Sequence, residues 1–184
     1  MKSLLFHAIL FFSIASFISG CGQKNNSKTL DQNTNKLQNA ENFPVIKKLN
    51  TNLLNKLISN RNGKILIINL WSTWSGKSMN QLIILNDMYE RYKNNLADFL
   101  IITIDPYPDI DSKVVPFLEK ENISFPVYMI DSTFGKQIMK TLNPAWSGSI
   151  PVIYFYNQKG VQKIILQGMQ TQADIEKAIN DLTN

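Results

Sequence analysis

The sequence predicts an α/β domain in which helices flank a mixed central sheet. Residues 64–70 form an almost unbroken apolar run that is too short for a helix and rich in β-branched residues, so a buried strand is predicted there. Apolar residues then recur at helical spacing, and a helix is expected to begin near Ser75 or Gly76. Strand and helix patterns alternate after it until a hairpin and a last helix appear, an order typical of α/β proteins with a mixed sheet.

The other elements are predicted in order along the chain. The leucines and isoleucine at positions 53, 54, 57 and 58 predict a short amphipathic helix before the central strand. Further strands are predicted over residues 99–104, 125–130, 151–156 and 161–166, and helices over 114–120 and 133–142. Gly160 supplies the turn of the hairpin. Thr171 and Asp174 are expected to cap the final amphipathic helix.

The segment after the central strand resembles a known active site. Residues 69–74, Asn-Leu-Trp-Ser-Thr-Trp, resemble the active-site segment of thioredoxin-fold proteins, in particular the membrane-tethered TlpA/ResA-like family. Members of that family carry Trp-Cys-x-x-Cys here, whereas this chain has Ser75 and Ser78 where the cysteines are expected. Residues 125–127 resemble the family's inserted strand, residues 149–152 its cis-proline segment and residues 157–160 the hairpin turn that follows. The resemblance covers residues 43–184 and implies a thioredoxin-like fold for them.

The two serines cannot perform the chemistry that the resemblance implies for cysteines. In the family, the first cysteine is a thiolate nucleophile and the second resolves the mixed disulfide. An alcohol is about as weak an acid as water, with a pKa of about 15.7. Ionising it at neutral pH requires a pKa shift of about nine units, or ~12 kcal/mol, and a helix N-terminus supplies at most ~2 kcal/mol. Ser75 is therefore predicted to be the N-cap of the helix, and Ser78 to lie in its first turn.

The beginning of the chain has the features of a lipoprotein signal. Residues 1–20 combine Lys2, an apolar stretch from Leu4 to Ile18 and two small residues, and residues 18–21 resemble a bacterial lipobox. The apolar stretch is shorter than the ~20 residues that span a membrane. We therefore expect a signal peptide at 1–20, and a lipidated Cys21 that anchors the protein to a membrane of the bacterial cell envelope on its extracytoplasmic side. Residues 21–42 are rich in asparagine and glutamine and are expected to form a disordered tether before the domain at 43–184.

The composition excludes several kinds of site. Cys21 is the only cysteine and His7 the only histidine. A disulfide framework, a Cys/His zinc site and a catalytic triad are therefore excluded in the mature chain, and no metal or cofactor is expected. Methionines 79, 139 and 169 are interpreted as packing residues rather than soft-metal ligands. The net charge falls from +5 to +4 when Lys2 is removed with the signal, and no nucleic-acid partner is expected. The cations are interpreted as a solvated surface; they include Lys47, Lys48, Arg61, Arg91, Lys136 and Lys163.

Two enzymatic alternatives at the Gly-Lys-Ser sequence of residues 76–78 are disfavoured. A P-loop requires glycine five residues before Gly76, and that position is Trp71. A Ser–Lys nucleophile requires a desolvated lysine, whereas Lys77 is expected to be exposed on the first helical turn. Asn69 lies where some thioredoxins bury an acidic proton relay, and an amide cannot exchange protons in that role.

With these kinds of chemistry excluded, the site is left with a face that can bind a partner through non-covalent contacts. The resemblance implies that the residue before the cis-proline pairs with an extended polypeptide, and Trp71, Trp74 and Trp146 are candidates to line the same face, although Trp71 can equally be a core residue. The predicted peptide-binding groove consists of Trp74, Ser75, Gly76, Lys77, Ser78, Ile150 and Pro151. The function predicted is that of a redox-inactive thioredoxin-like lipoprotein that binds an extracytoplasmic protein or peptide, or acts as an envelope scaffold. The alternative is a TlpA/ResA-like thiol–disulfide oxidoreductase whose cysteines were replaced by serine through engineering.

Overall fold

A computed structural model describes residues 45–183 of the chain. The predicted signal peptide, Cys21, the tether and the first two residues of the predicted domain lie outside these residues. The helices and strands are β1 (Ile46–Leu49), α1 (Thr51–Ser59), β2 (Ile65–Trp71), α2 (Gly76–Tyr92), β3 (Ala97–Thr103), α3 (Val115–Lys120), β4 (Val127–Ile130), α4 (Gly135–Leu142), β5 (Val152–Tyr156), β6 (Gln162–Gln167) and α5 (Gln172–Thr183).

The six strands form one mixed sheet in the order β1-β4-β3-β2-β5-β6. The pairs β1–β4, β4–β3 and β3–β2 are parallel, whereas β2–β5 and β5–β6 are antiparallel. The predicted α/β class with a mixed central sheet is therefore confirmed. All seven residues of β2 are buried, because this strand lies in the middle of the sheet with helices on both of its faces.

Two apolar cores cover the two faces of the sheet. On one face, the strands pack against α2, α3 and α5 through buried residues that include Leu82, Leu85, Met88, Leu118, Ile175 and Ile179. On the other face they pack against α1 and α4 through Leu54, Ile138 and Leu142. Burying one such side chain fully stabilises the fold by about 1.5–3 kcal/mol. β2 is therefore held between two packed layers, and the loop that follows it starts from a fixed position.

Three differences from the sequence predictions have physical causes. β4 begins at Val127 rather than 125, and the residue before it, Pro126, has no backbone N–H to donate to a neighbouring strand. The predicted helix at 114–120 is preceded by a wider π turn over Ile110–Val114. Arg61, interpreted from the sequence as a solvated cation, is only 3% exposed and binds Asp98 at 2.9 Å, so that interpretation is wrong.

None of the helices within residues 45–183 is both long enough and apolar enough to cross a bilayer.

Candidate functional site

The loop between β2 and α2 presents one tryptophan and buries another. Trp71 is completely buried at the end of β2, where its ring packs against Phe117 with 5.5 Å between centroids. Trp74 follows three residues later and is 64% exposed. Trp71 is thus a core residue and does not line a binding face. Trp74 can contact a partner directly.

Ser75 and Ser78 are placed as helix-capping geometry requires. Ser75 has an extended backbone and is the N-cap of α2, and its hydroxyl accepts a hydrogen bond from the Ser78 backbone N–H at 3.3 Å. Ser78 is fully buried, and its own hydroxyl has no hydrogen-bond partner among the described residues. The N-cap prediction for Ser75 and the first-turn prediction for Ser78 are confirmed.

The surroundings of the serines lack the groups that activate a hydroxyl. Residues 45–183 contain neither histidine nor cysteine. Lys77 is exposed beside them, so it is not the desolvated lysine that a Ser–Lys pair needs. No group of three or more His, Cys, Asp or Glu within 45–183 is arranged to hold a metal ion. The arrangement can therefore cap a helix and offer hydrogen bonds.

A buried carboxylate fixes the loop that carries Trp74. The backbone N–H of Thr73 donates to Asp105 Oδ2 at 3.0 Å, and its hydroxyl donates to Oδ1 at 2.6 Å. Thr103, at the end of β3, donates its hydroxyl to Oδ2 at 2.5 Å. Asp105 is 7% exposed and forms no ion pair with any described residue. Two threonines therefore donate hydrogen bonds to its oxygens, and these bonds tie the loop to the next strand.

The segment before β5 lies beside the end of β2. The peptide bond between Ile150 and Pro151 is cis, the isomer expected from the family resemblance. Val152 is paired with Leu70 across the antiparallel β5–β2 ladder, which brings this segment to the point where β2 ends. Among residues 45–183, none forms a hydrogen bond with the backbone of Ile150.

Asn69 in the middle of β2 has a structural contact. It is completely buried, and its amide donates to the carbonyl oxygen of Val152 at 3.2 Å. The amide therefore links β2 to the first residue of β5. At this position the family resemblance implies a proton relay in some thioredoxins.

The structure shows a cavity and an exposed aromatic side chain, Tyr107, that the sequence analysis did not predict. Tyr107 is 71% exposed just after Asp105. It lines a cavity of about 400 Å³ together with Asp105 and Trp146. Trp146 therefore lies near the end of β3, which is hydrogen-bonded through Asp105 to the Thr73 loop. It is a neighbour of the predicted groove. The signal in the sequence was an aromatic residue between Pro106 and Pro108, since prolines on both sides favour an exposed turn.

Comparison with known proteins identifies the fold. No protein-family model matches the chain. Its structure superimposes on a thiol:disulfide interchange protein of the thioredoxin family from Chlorobium tepidum, with a TM-score of 0.55 and 16% identity over 70% of this chain and 83% of that one. The fold is thioredoxin-like. Proteins that are similar to this chain in sequence are also thiol–disulfide oxidoreductases.

Two curated relatives are thiol–disulfide oxidoreductases named ResA. The protein from Oceanobacillus iheyensis is 25% identical over 125 residues, which cover 68% of this chain and 60% of the relative. The protein from Geobacillus kaustophilus is 25% identical over 126 residues, which cover 68% of this chain and 67% of the relative. The chain thus spans about three fifths to two thirds of the length of these relatives. These matches support a relationship to ResA/TlpA-like thiol–disulfide oxidoreductases.

Proposed function

We propose that this protein is a redox-inactive, thioredoxin-like binding protein that captures a partner polypeptide on the face built by the β2–α2 loop and the Ile150–Pro151 segment. The proposal rests on where the structure places the hydroxyl groups of Ser75 and Ser78. Ser75 caps α2 and Ser78 is buried, in a domain whose residues 45–183 contain no cysteine and no histidine. Dithiol chemistry needs two sulfur atoms that can be oxidised to a disulfide, and two hydroxyls cannot replace them.

The face that remains has the properties of a polypeptide-binding surface. Trp74 offers a large exposed aromatic ring, and aromatic residues are the commonest energetic anchors of interfaces. The unpaired backbone of Ile150 can add an extended strand from a partner, as in other complexes that form by strand addition. Gly76 and Lys77, both exposed on the first turn of α2, complete the rim of this groove. The groove therefore combines an anchor with a site for backbone pairing.

The proposal includes a location at the bacterial cell envelope. A signal peptide over 1–20 and a lipid on Cys21 would place the domain on the extracytoplasmic side of a membrane, held by the segment 21–42. Replacement of Cys21 by serine tests this part. We expect the native protein to partition into detergent with the membrane fraction and the Cys21→Ser variant to lose lipid labelling. A native protein without lipid contradicts the anchor, whatever the outcome for binding.

The redox part is tested by reduction of insulin disulfides with dithiothreitol. We expect the purified domain to give the rate of the buffer alone, because neither serine can attack a disulfide. A clear rate that depends on the concentration of the domain contradicts the proposal. The genomic codons at positions 75 and 78 separate this proposal from the alternative of an oxidoreductase whose cysteines were replaced by engineering. Serine codons support a natural binding protein, and cysteine codons support the alternative.

The binding part is tested by crosslinking from native membranes followed by titration of the identified partner. The result that supports it is a partner whose capture depends on Trp74 and Ile150. Unchanged capture after substitution of both residues shows that the protein acts as a scaffold through another surface.

A further inference from the structure

A second, wider cleft continues from the Trp146 side of the predicted groove. It has a volume of about 760 Å³ and lies between α4 and the loop that follows it, with Lys136, Met139, Lys140, Asn143, Trp146 and Ser147 among its lining residues. Met139 and Trp146 also line the 400 Å³ cavity that contains Asp105 and Tyr107. The two cavities therefore share a wall.

Trp146 connects this cleft to the Ile150–Pro151 segment. Its indole Nε1 donates to the carbonyl oxygen of Ser149 at 2.9 Å, which holds the ring against the residue just before Ile150. An extended polypeptide that pairs with the Ile150 backbone and continues past Ser149 therefore passes Trp146. Trp146 also lines the cleft beside α4.

The charged side chains that line this cleft are both lysines. Lys136 and Lys140 are exposed one helical turn apart on α4, and the ammonium group of neither forms a salt bridge with another described residue. Among the residues 45–183 that line this cleft, none is acidic. The carboxylates nearby, Asp105 and Asp131, line the other cavity, where Asp105 is held by threonines and Asp131 accepts from the Thr133 backbone N–H at 3.0 Å. The cleft beside α4 is thus positively charged through Lys136 and Lys140, whereas the other cavity contains Lys48 together with the two carboxylates.

We infer that the cleft between α4 and Trp146 binds an acidic segment of the partner polypeptide, with an apolar side chain against Trp146 and Met139 and carboxylates at Lys136 and Lys140. This inference rests on the proposed function, because it extends the same groove and names the chemistry of its partner. Charge complementarity supports an acidic occupant, since like charges facing each other disfavour binding and opposite charges fix the register of an extended chain. The aromatic wall supports an apolar residue between the carboxylates.

The test uses synthetic peptides as probes. In one short peptide, aspartates flank a leucine; in a matched peptide, asparagines replace the aspartates. Binding to the isotope-labelled protein is followed at the indole N–H signal of Trp146, which reports directly on the wall of the cleft. We expect the acidic peptide to shift this signal and to bind more tightly than the asparagine peptide, by a margin that shrinks at high salt.

Two double variants with the same change in net charge test whether the acidic peptide binds at the α4 lysines. Lys136→Gln with Lys140→Gln should weaken binding of the acidic peptide about two- to thirtyfold, since each of the two exposed pairs contributes ~0.2–1 kcal/mol. Lys159→Gln with Lys163→Gln, at exposed positions of the β5–β6 hairpin, should change it less than twofold. Equal weakening by both variants, or no binding of the acidic peptide to the parent, overturns the inference. The proposed function is judged separately through Trp74, so it survives a result in which Trp74 matters and the two α4 lysines do not.

Discussion

The hydroxyl of Ser75 accepts a hydrogen bond from the backbone N–H of Ser78, while the hydroxyl of Ser78 is buried with no hydrogen-bond partner among residues 45–183. The two serines of the Ser-x-x-Ser sequence are therefore not equivalent. One satisfies a free N–H of the helix, and the other adds a polar atom to an apolar environment, which costs free energy.

The first prediction follows from this asymmetry. Ser75→Ala should lower the free energy of unfolding by ~1 kcal/mol, because α2 loses its N-cap. Ser78→Ala should leave it unchanged or raise it, because the variant removes an unsatisfied buried hydroxyl and alanine favours the helix. Urea unfolding of both variants beside the parent measures the difference. An equal loss for both substitutions shows that the Ser78 hydroxyl has a partner in solution.

The second prediction concerns restored chemistry. The double variant Ser75→Cys with Ser78→Cys should reduce insulin disulfides, because it places one half-exposed and one buried thiol on the first turn of a helix whose N-terminus stabilises a thiolate. The matched controls are the two single cysteine variants, neither of which can form the internal disulfide. A folded double variant that is as inactive as the parent shows that features other than the two sulfurs have been lost from the site.

The third prediction tests the tie between the loop and β3. Asp105→Asn should lower the free energy of unfolding by ~1–3 kcal/mol, because an amide nitrogen replaces one of the oxygens that accept hydrogen bonds from Thr73 and Thr103. Hydrogen exchange of the Thr73 amide should become faster in the same variant. Asp111→Asn is the control, since Asp111 is exposed and also follows β3. If both variants are as stable as the parent, the carboxylate does not hold the loop.

The fourth prediction concerns the proposed binding face. Trp74→Ala should leave the fold intact and weaken capture of the partner at least tenfold, because truncation of a central aromatic anchor commonly costs ≥2 kcal/mol, or roughly thirtyfold in affinity. Ile150→Asp should weaken it similarly by placing a charge against the bound chain. Lys163→Ala, on the exposed side of β6, is the control and should bind as the parent does. Parent-like titrations of folded Trp74→Ala and Ile150→Asp place the interface elsewhere.

The fifth prediction is an alkaline loss of stability. Burial raises the pKa of Tyr154 to about 12, whereas an ordinary tyrosine in the unfolded chain titrates near ~10. Between these values the unfolded chain releases a proton that the folded chain retains, so the free energy of unfolding falls as pH rises through this window. Tyr154→Phe should make this fall shallower, and Tyr107→Phe, at an exposed residue, should not. Identical pH profiles for the two variants contradict the assignment to Tyr154.

Much of the fold could be predicted because it is encoded locally. The apolar run at residues 64–70 predicted β2, and the alternation of strand and helix patterns predicted the mixed sheet. The role of Ser75 followed from its position before a helical pattern. Arg61 was misinterpreted because its partner Asp98 lies 37 positions away, and no local pattern indicates that contact.

The site was predictable only where its residues form a motif. Trp74 and the first turn of α2 were found because they are contiguous in the sequence. Tyr107 and the α4 cleft were missed, since they are brought next to the groove by the order of strands in the sheet. A buried carboxylate such as Asp105 looks, in the sequence, like any acidic residue that ends a strand.

The tie between Thr73 and Asp105 has a consequence for the thermodynamics of binding. Ordering the backbone of a single residue costs about 1–2 kcal/mol in conformational entropy. In this protein the loop that presents Trp74 is already ordered by the fold, so a partner does not have to order it on association. The rigidity that holds a nucleophile in place in a catalyst is equally useful to a protein without one. Under the proposed function, this order lets a small surface bind a partner polypeptide with little entropic loss on the protein's own side.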